Sequence, residues 1–175
     1  MSAGAGRGQT WREDLREAVA SAVLDFEDRY GYPPGENVVR EPDPIAAVRP
    51  AIPDDLVDLY ATVGAVDLPD IGNGFFLHTA SDVAHTHESR DLRHVRGRHV
   101  ADVVVFASDG GGTQYALATP AGSPVYRLPP SLVLDGIYTS EDPRFDVAAP
   151  DLPTFLDRLL HAVQTFAASS EPPNL

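Results

Sequence analysis

The sequence predicts an α+β fold, a mostly antiparallel sheet flanked by N-terminal and C-terminal helices, and three observations carry that expectation. Val103, Val104, Val105 and Phe106 form a continuous apolar run rich in β-branched residues, the mark of a strand covered on both faces and therefore set in the middle of a sheet. Turn residues at Asp109, Gly110, Gly111 and Gly112, and again at 119–123, separate that run from the alternating Tyr115 and Leu117 and from the short run 124–128. Three antiparallel strands joined by hairpins follow, because Asp bonds its own backbone and glycine reaches positive φ without a Cβ penalty. Helical periodicity occupies both ends of the chain, at Trp11, Leu15, Ala18, Val19, Ala22 and Phe26, and at Leu152, Phe155, Leu156, Leu159, Leu160, Val163 and Phe166.

Taken in order, residues 1–9 read as a flexible tail. Their Gly4-Ala5-Gly6-Arg7-Gly8 run is no phosphate loop, since no strand precedes it and no Gly-Lys-Ser/Thr follows. Thr10 and Glu13 have capping-box spacing and open the first helix, which Gly31 and the Pro33-Pro34 pair end. Residues 36–51 read as surface connection with a short edge strand at Val38 and Val39. Pro53 suits a first helical turn, Asp54 and Asp55 suit its positive end, and Leu56, Leu59, Tyr60 and Val63 form an inward stripe that Gly64 closes. After the Gly72-Asn73-Gly74 turn, Phe75, Phe76 and Leu77 read as the first strand of the main sheet, and Ser81-Asp82-Val83 as a helical turn. The Arg- and His-rich segment 85–99 reads as a connection whose arginines pair with nearby carboxylates, or else as an anion contact. Residues 132–138 add one strand, 140–144 form a charged loop, and Asp151 caps the last helix. Residues 10–168 make one domain and 169–175 a second flexible tail.

Composition narrows the function classes. At 175 residues and 43% hydrophobic, the chain suits one domain with a substantial core. It has no cysteine, which removes disulfides and thiolate metal sites and accords with a reducing compartment. No apolar leader is seen near Met1 and no run approaches bilayer length, so a soluble cytoplasmic protein is expected. The net charge of -13, from 26 acidic and 13 basic residues, argues against general nucleic-acid binding and permits a basic protein partner.

Catalytic patterns are thin. His85 and His87 would present both rings on one face to a metal if they lay on a strand, but the flanking Thr86 and 88–90 look like loop and four nearby arginines disfavour a cation. Ser108 beside Asp109 lacks a nucleophile elbow, and the triple glycine lacks a following helix and a phosphate-binding lysine. No metal and no cofactor is expected. The candidate partner-binding residues are Asp67 and Asp70 in a loop before the first main strand, Asp109 at a hairpin tip, and Glu141 with Asp142. The arginines from Arg90 to Arg98 are the second choice.

The order of a helix opened by Ile52-Pro53-Asp54-Asp55-Leu56, then Gly72-Asn73-Gly74-Phe75-Phe76-Leu77, then Val105-Phe106-Ala107-Ser108-Asp109-Gly110-Gly111-Gly112, Tyr115-Ala116-Leu117 and Pro124-Val125-Tyr126 resembles the SUKH superfamily, from Ile52 to Leu160. It departs from that pattern at Gly64-Ala65-Val66, where many members carry Asn-Gly. The resemblance implies an α+β fold and a non-enzymatic module. Its implied role is that of an immunity protein, monomeric or weakly dimeric, that neutralises a cognate bacterial toxin of nuclease or deaminase type by direct binding. The alternative it implies is an intracellular adaptor of the kind that regulates cell-wall synthesis, and a metal-dependent enzyme using His85 and His87 stands behind both.

Overall fold

The computed structural model describes residues 3–42, 52–89 and 91–169. Helix α1 (Ala3–Val23) is followed by α2 (Phe26–Tyr30), strand β1 (Val38–Val39), α3 (Asp54–Tyr60), β2 (Val66–Leu68), β3 (Phe75–Leu77) and α4 (Ala80–Ser89). The second half adds β4 (His94–Gly97), β5 (Ala101–Asp109), β6 (Gln114–Thr119), β7 (Val125–Leu128), β8 (Val133–Leu134), β9 (Ile137–Ser140), β10 (Asp146–Ala149) and α5 (Leu152–Ser169). The fold is α+β, with a large, mostly antiparallel sheet and helices from both ends of the chain packed on it.

β5 is the spine. Along one edge it pairs with β6, from Asp102 opposite Thr119 to Ser108 opposite Gln114, and the sheet continues through β7 to β10. The other edge is shared: β4 takes its start, with His94 opposite Asp102, and β3 takes its end, with Phe75 opposite Asp109. From β3 the sheet runs on to β2 and β1, and from β4 through the parallel partner β9 to β8.

The run 103–106 is covered on both faces, as its composition predicts. Val104 and Phe106 join the larger core with Leu15 of α1, Leu56 and Tyr60 of α3, Val83 of α4 and Phe155 of α5. Val103 and Val105 point the other way, into a second core with Val95, Tyr126, Tyr138 and Phe145. A bulge between Val105 and Ala107 breaks the alternation, so Phe106 and Ala107 both serve the helical side. α1 and α5 close over that side together, with the Trp11 indole N–H donating to the Leu156 carbonyl at 2.9 Å.

Several local expectations are corrected. α1 begins at Ala3, so Thr10 lies inside it rather than capping it and residues 3–9 are helix rather than tail. The helix also breaks at Leu24 and Asp25, and it is α2 that Gly31 ends, its N–H bonding the Glu27 carbonyl at 2.8 Å. Asp67 is in strand β2, not in a loop, and the strand 75–77 is the third of the sheet. The turn at Ser81 is a full helix, opened by reciprocal bonds between Thr79 and Asp82. The Arg/His segment is the end of α4 followed by β4, residues 132–138 hold a hairpin of two strands, and β10 follows the charged loop. Ser169 belongs to α5, while residues 43–51 and 170–175, and Arg90, lie outside the described residues.

Candidate functional site

The end of β5 lines a concavity. Asp109 accepts the Gly111 and Thr113 N–H groups at 2.9 and 2.8 Å and so holds the β5–β6 hairpin. Of the three glycines after it, only Gly112 uses a positive φ. Gly110 is there for a different reason: its N–H bonds the Asn73 carbonyl at 3.0 Å, and a Cβ would stand 2.1 Å from that oxygen. The 72–74 turn and the hairpin tip are thereby locked together.

Beside this junction lies a cleft of about 190 Å³, walled by Asn73, Asp109, Tyr115, Arg127 and Arg144 and by Leu159, Ala162 and Val163 of α5. Burial, reinforced by Asp109 and opposed by Arg127, pushes the Tyr115 phenol up to about 12, so it stays a proton donor at neutral pH. Arg144 grips Asp142 with Nε at 3.1 Å and Nη2 at 2.7 Å, and that bond, chiefly, holds the Asp142 carboxyl down to about 2. The cleft combines an apolar wall with balanced charges, a setting suited to holding a polar group.

Of the five predicted carboxylates, Asp109 lines this cleft and Asp142 reaches its rim through Arg144. Asp70 works inside the fold, accepting the Gly35 N–H at 2.7 Å and the Asn37 amide at 2.6 Å, which fastens the segment after α2 to the end of β2. Asp67 pairs with Arg40 at 3.2 Å. Glu141 is exposed. Four of the five therefore have structural partners, and the five do not form one patch. Arg127 and Arg144 were not singled out in sequence, because only the pairing of β7 with β6 and the loop before β10 bring them to Asp109.

His85 and His87 lie on α4 rather than in a loop, and two residues along a helix turn side chains to nearly opposite directions, so the one-face arrangement a strand would give is absent. Among the described residues no three His, Asp or Glu side chains gather as metal ligands would. In the segment 91–99 the carboxylates are held by histidines, His94 with Asp102 at 2.9 Å and His99 with Asp146 at 3.4 Å. Among the described residues Arg93, Arg96 and Arg98 form no ion pair.

His78 accounts for one pH effect. It bonds Ser108 Oγ at 3.0 Å, and burial holds its pKa below the usual 6.5 against the opposing pull of Asp82 and Asp67. The denatured chain then binds the proton more readily, so this contribution to stability is intact above about pH 6.5 and is lost as pH falls from there towards the folded pKa. His78→Gln should flatten that part of the profile, a difference read by urea denaturation at about pH 7.5 and about pH 5.

A second acidic locus was not among the predicted residues. Asp54, Asp55 and Asp58 are exposed on α3, and Asp55 is raised by burial first and then by Asp58, Asp54 and Asp151. Among the described residues none of those three α3 aspartates forms an ion pair. Asp151 itself caps α5, accepting the Thr154 N–H at 2.7 Å, as predicted.

Against family models, curated proteins and solved structures, the chain finds no match. Among the described residues no helix is long and apolar enough to cross a membrane.

Proposed function

We propose that the protein is a non-enzymatic binding module for a basic protein, in its most specific form an immunity protein that neutralises a toxin of nuclease or deaminase type. The observation that carries this reading is acidic charge gathered on one helix: within a net charge of -13, Asp54, Asp55 and Asp58 stand exposed on α3, and after burial the charges of Asp58, Asp54 and Asp151 all raise Asp55. Like charges so placed destabilise the free protein, and a basic surface laid over them removes the repulsion and speeds encounter. A protein that binds phosphate backbones has such a surface. The flanked antiparallel sheet is also the architecture that the SUKH resemblance implies, and it supports the same reading.

The test is affinity capture from the host's own lysate at low and physiological salt. The expected result is stoichiometric recovery of one basic protein that arrests growth when expressed alone and is tolerated when this chain is co-expressed. Replacing Asp54, Asp55 and Asp58 by asparagine should then slow association by about tenfold at low salt and flatten its salt dependence. Recovery of envelope-assembly proteins, with the growth assay silent, would replace this reading by the adaptor.

A further inference from the structure

The break between α1 and α2 builds an exposed aromatic surface to which the sequence and the cleft give no role. Phe26 drops into the protein at 2% exposure, and Tyr30 and Tyr32 rest on it with ring centroids 4.4 and 5.5 Å away and 6.5 Å from each other. Gly31, between them, reverses the chain so that both rings reach the same anchor. Tyr30 and Tyr32 nonetheless remain 38% and 55% exposed, with Leu24 at 79% in the preceding break. Among the described residues, three of the seven exposed large hydrophobic side chains thus fall within one short stretch, a concentration that marks an interaction surface rather than scattered apolar exposure.

The surroundings select the occupant. Asp25, Glu27, Asp28 and Glu36, which neighbour the tyrosines in sequence on α2 and the segment after it, are exposed, and among the described residues none of them forms an ion pair. An apolar partner would bury those carboxylates unpaired, whereas arginine or lysine side chains would pair with them and lie on the rings. The fold already shows the ring contact in miniature: the Arg29 guanidinium sits 5.8 Å from the Tyr30 centroid, held by the Ala22 carbonyl at 2.6 Å. Tyr32 carries no such cation among the described residues. Tyrosine also loses little conformational freedom on binding and dominates many interfaces.

We propose that Tyr30 and Tyr32, with the exposed Asp25, Glu27, Asp28 and Glu36 that flank them in sequence, form the docking surface for an arginine- or lysine-rich segment of the basic protein partner. This rests on the reading of the protein as a binder of a basic protein and places the contact on the α2 side of the molecule. The α3 aspartates then steer the approach while the tyrosines slow departure.

The probe is a fluorescent oligoarginine peptide titrated with the full chain at low and physiological salt. Tyr30→Ser with Tyr32→Ser should weaken binding by about tenfold while leaving its salt dependence nearly unchanged. Tyr32→Ser alone, at the more exposed ring, should give part of that loss with an unaltered melting temperature, and Tyr32→Phe should restore it. Asp25→Asn with Glu27→Gln and Asp28→Asn should instead reduce the salt dependence. If the tyrosine variants bind like the parent while Asp54→Asn with Asp58→Asn abolishes binding, the docking surface is overturned and the basic-partner reading stands. If the parent chain does not bind oligoarginine at low salt, both are overturned.

Discussion

Replacing Phe155 by alanine is expected to cost about 3–5 kcal/mol of stability. Phe155 is buried on the inner face of α5, with its ring 5.5 Å from Phe106, 5.1 Å from Tyr115 and 6.3 Å from Phe75. It therefore ties the last helix to the spine strand, to β6 and to β3 at once. Truncation removes three ring contacts between α5 and the sheet and leaves a cavity beside Tyr115, which lines the cleft, where the surrounding strands cannot collapse to fill it. Urea denaturation should show a lower midpoint at an unchanged slope. Phe155→Leu, which retains most of the volume, should lose distinctly less. A loss below about 1 kcal/mol for the alanine variant would contradict the packing of α5 described above.

Gly97→Ala is expected to detach the β8–β9 arm from the spine. Gly97 has φ +129, a conformation that by itself costs an L-residue on the order of 1–3 kcal/mol. An added Cβ would also stand 2.1 Å from the Ser140 carbonyl oxygen, on the backbone of its own partner in the parallel β4–β9 pair. Backbone cannot swing aside as a flexible side chain can, so the two strands must separate at this point. Hydrogen exchange should then lose protection at Tyr138 while Thr139, whose N–H bonds the Leu132 carbonyl within the arm, and Val104 and Phe106 keep theirs. Uniform protection across both groups would show that the pair absorbs the methyl without parting.

What was legible in the sequence is what depends on near neighbours. The hairpin of β5 and β6 could be read because Asp109 and the glycines decide it within a few residues, and α5 because Asp151 and a long apolar stripe agree. β2 was missed because three residues, Val66, Asp67 and Leu68, are too few to show alternation. β10 was missed for a similar reason, its start at Asp146 and Val147 being exposed. The extent of α4 was there to be found in Thr79 and Asp82, whose spacing matches the capping box, but the polar, Arg- and His-rich residues after Val83 read as a connection. Thr10 and Glu13 mislead in the opposite sense, having the right spacing inside a helix that has already begun.

The candidate sites divide along the same line. Asp109 was identifiable because its role is local, but the cleft around it needs Arg127 and Arg144 from later in the chain. The mutual repulsion at Asp55 includes Asp151, nearly a hundred positions away, and no window of sequence brings these together. The tyrosines had a usable signal in Tyr30-Gly31-Tyr32 directly after a helix, where the glycine puts two aromatic rings on one support.

The bond between Trp11 and the Leu156 carbonyl spans 145 residues, and it bears on how the protein is made. During synthesis α1 emerges first, with Trp11, Leu15, Val19 and Ala22 ready to be covered, yet the helix that helps to cover them is the last element in the order. The hairpins of β5, β6 and β7 need only sequence neighbours and can assemble as they leave the ribosome. The helical layer cannot, so until α5 arrives the nascent chain carries a helix whose apolar face is incompletely covered, the period in which it is most open to chaperones and to aggregation.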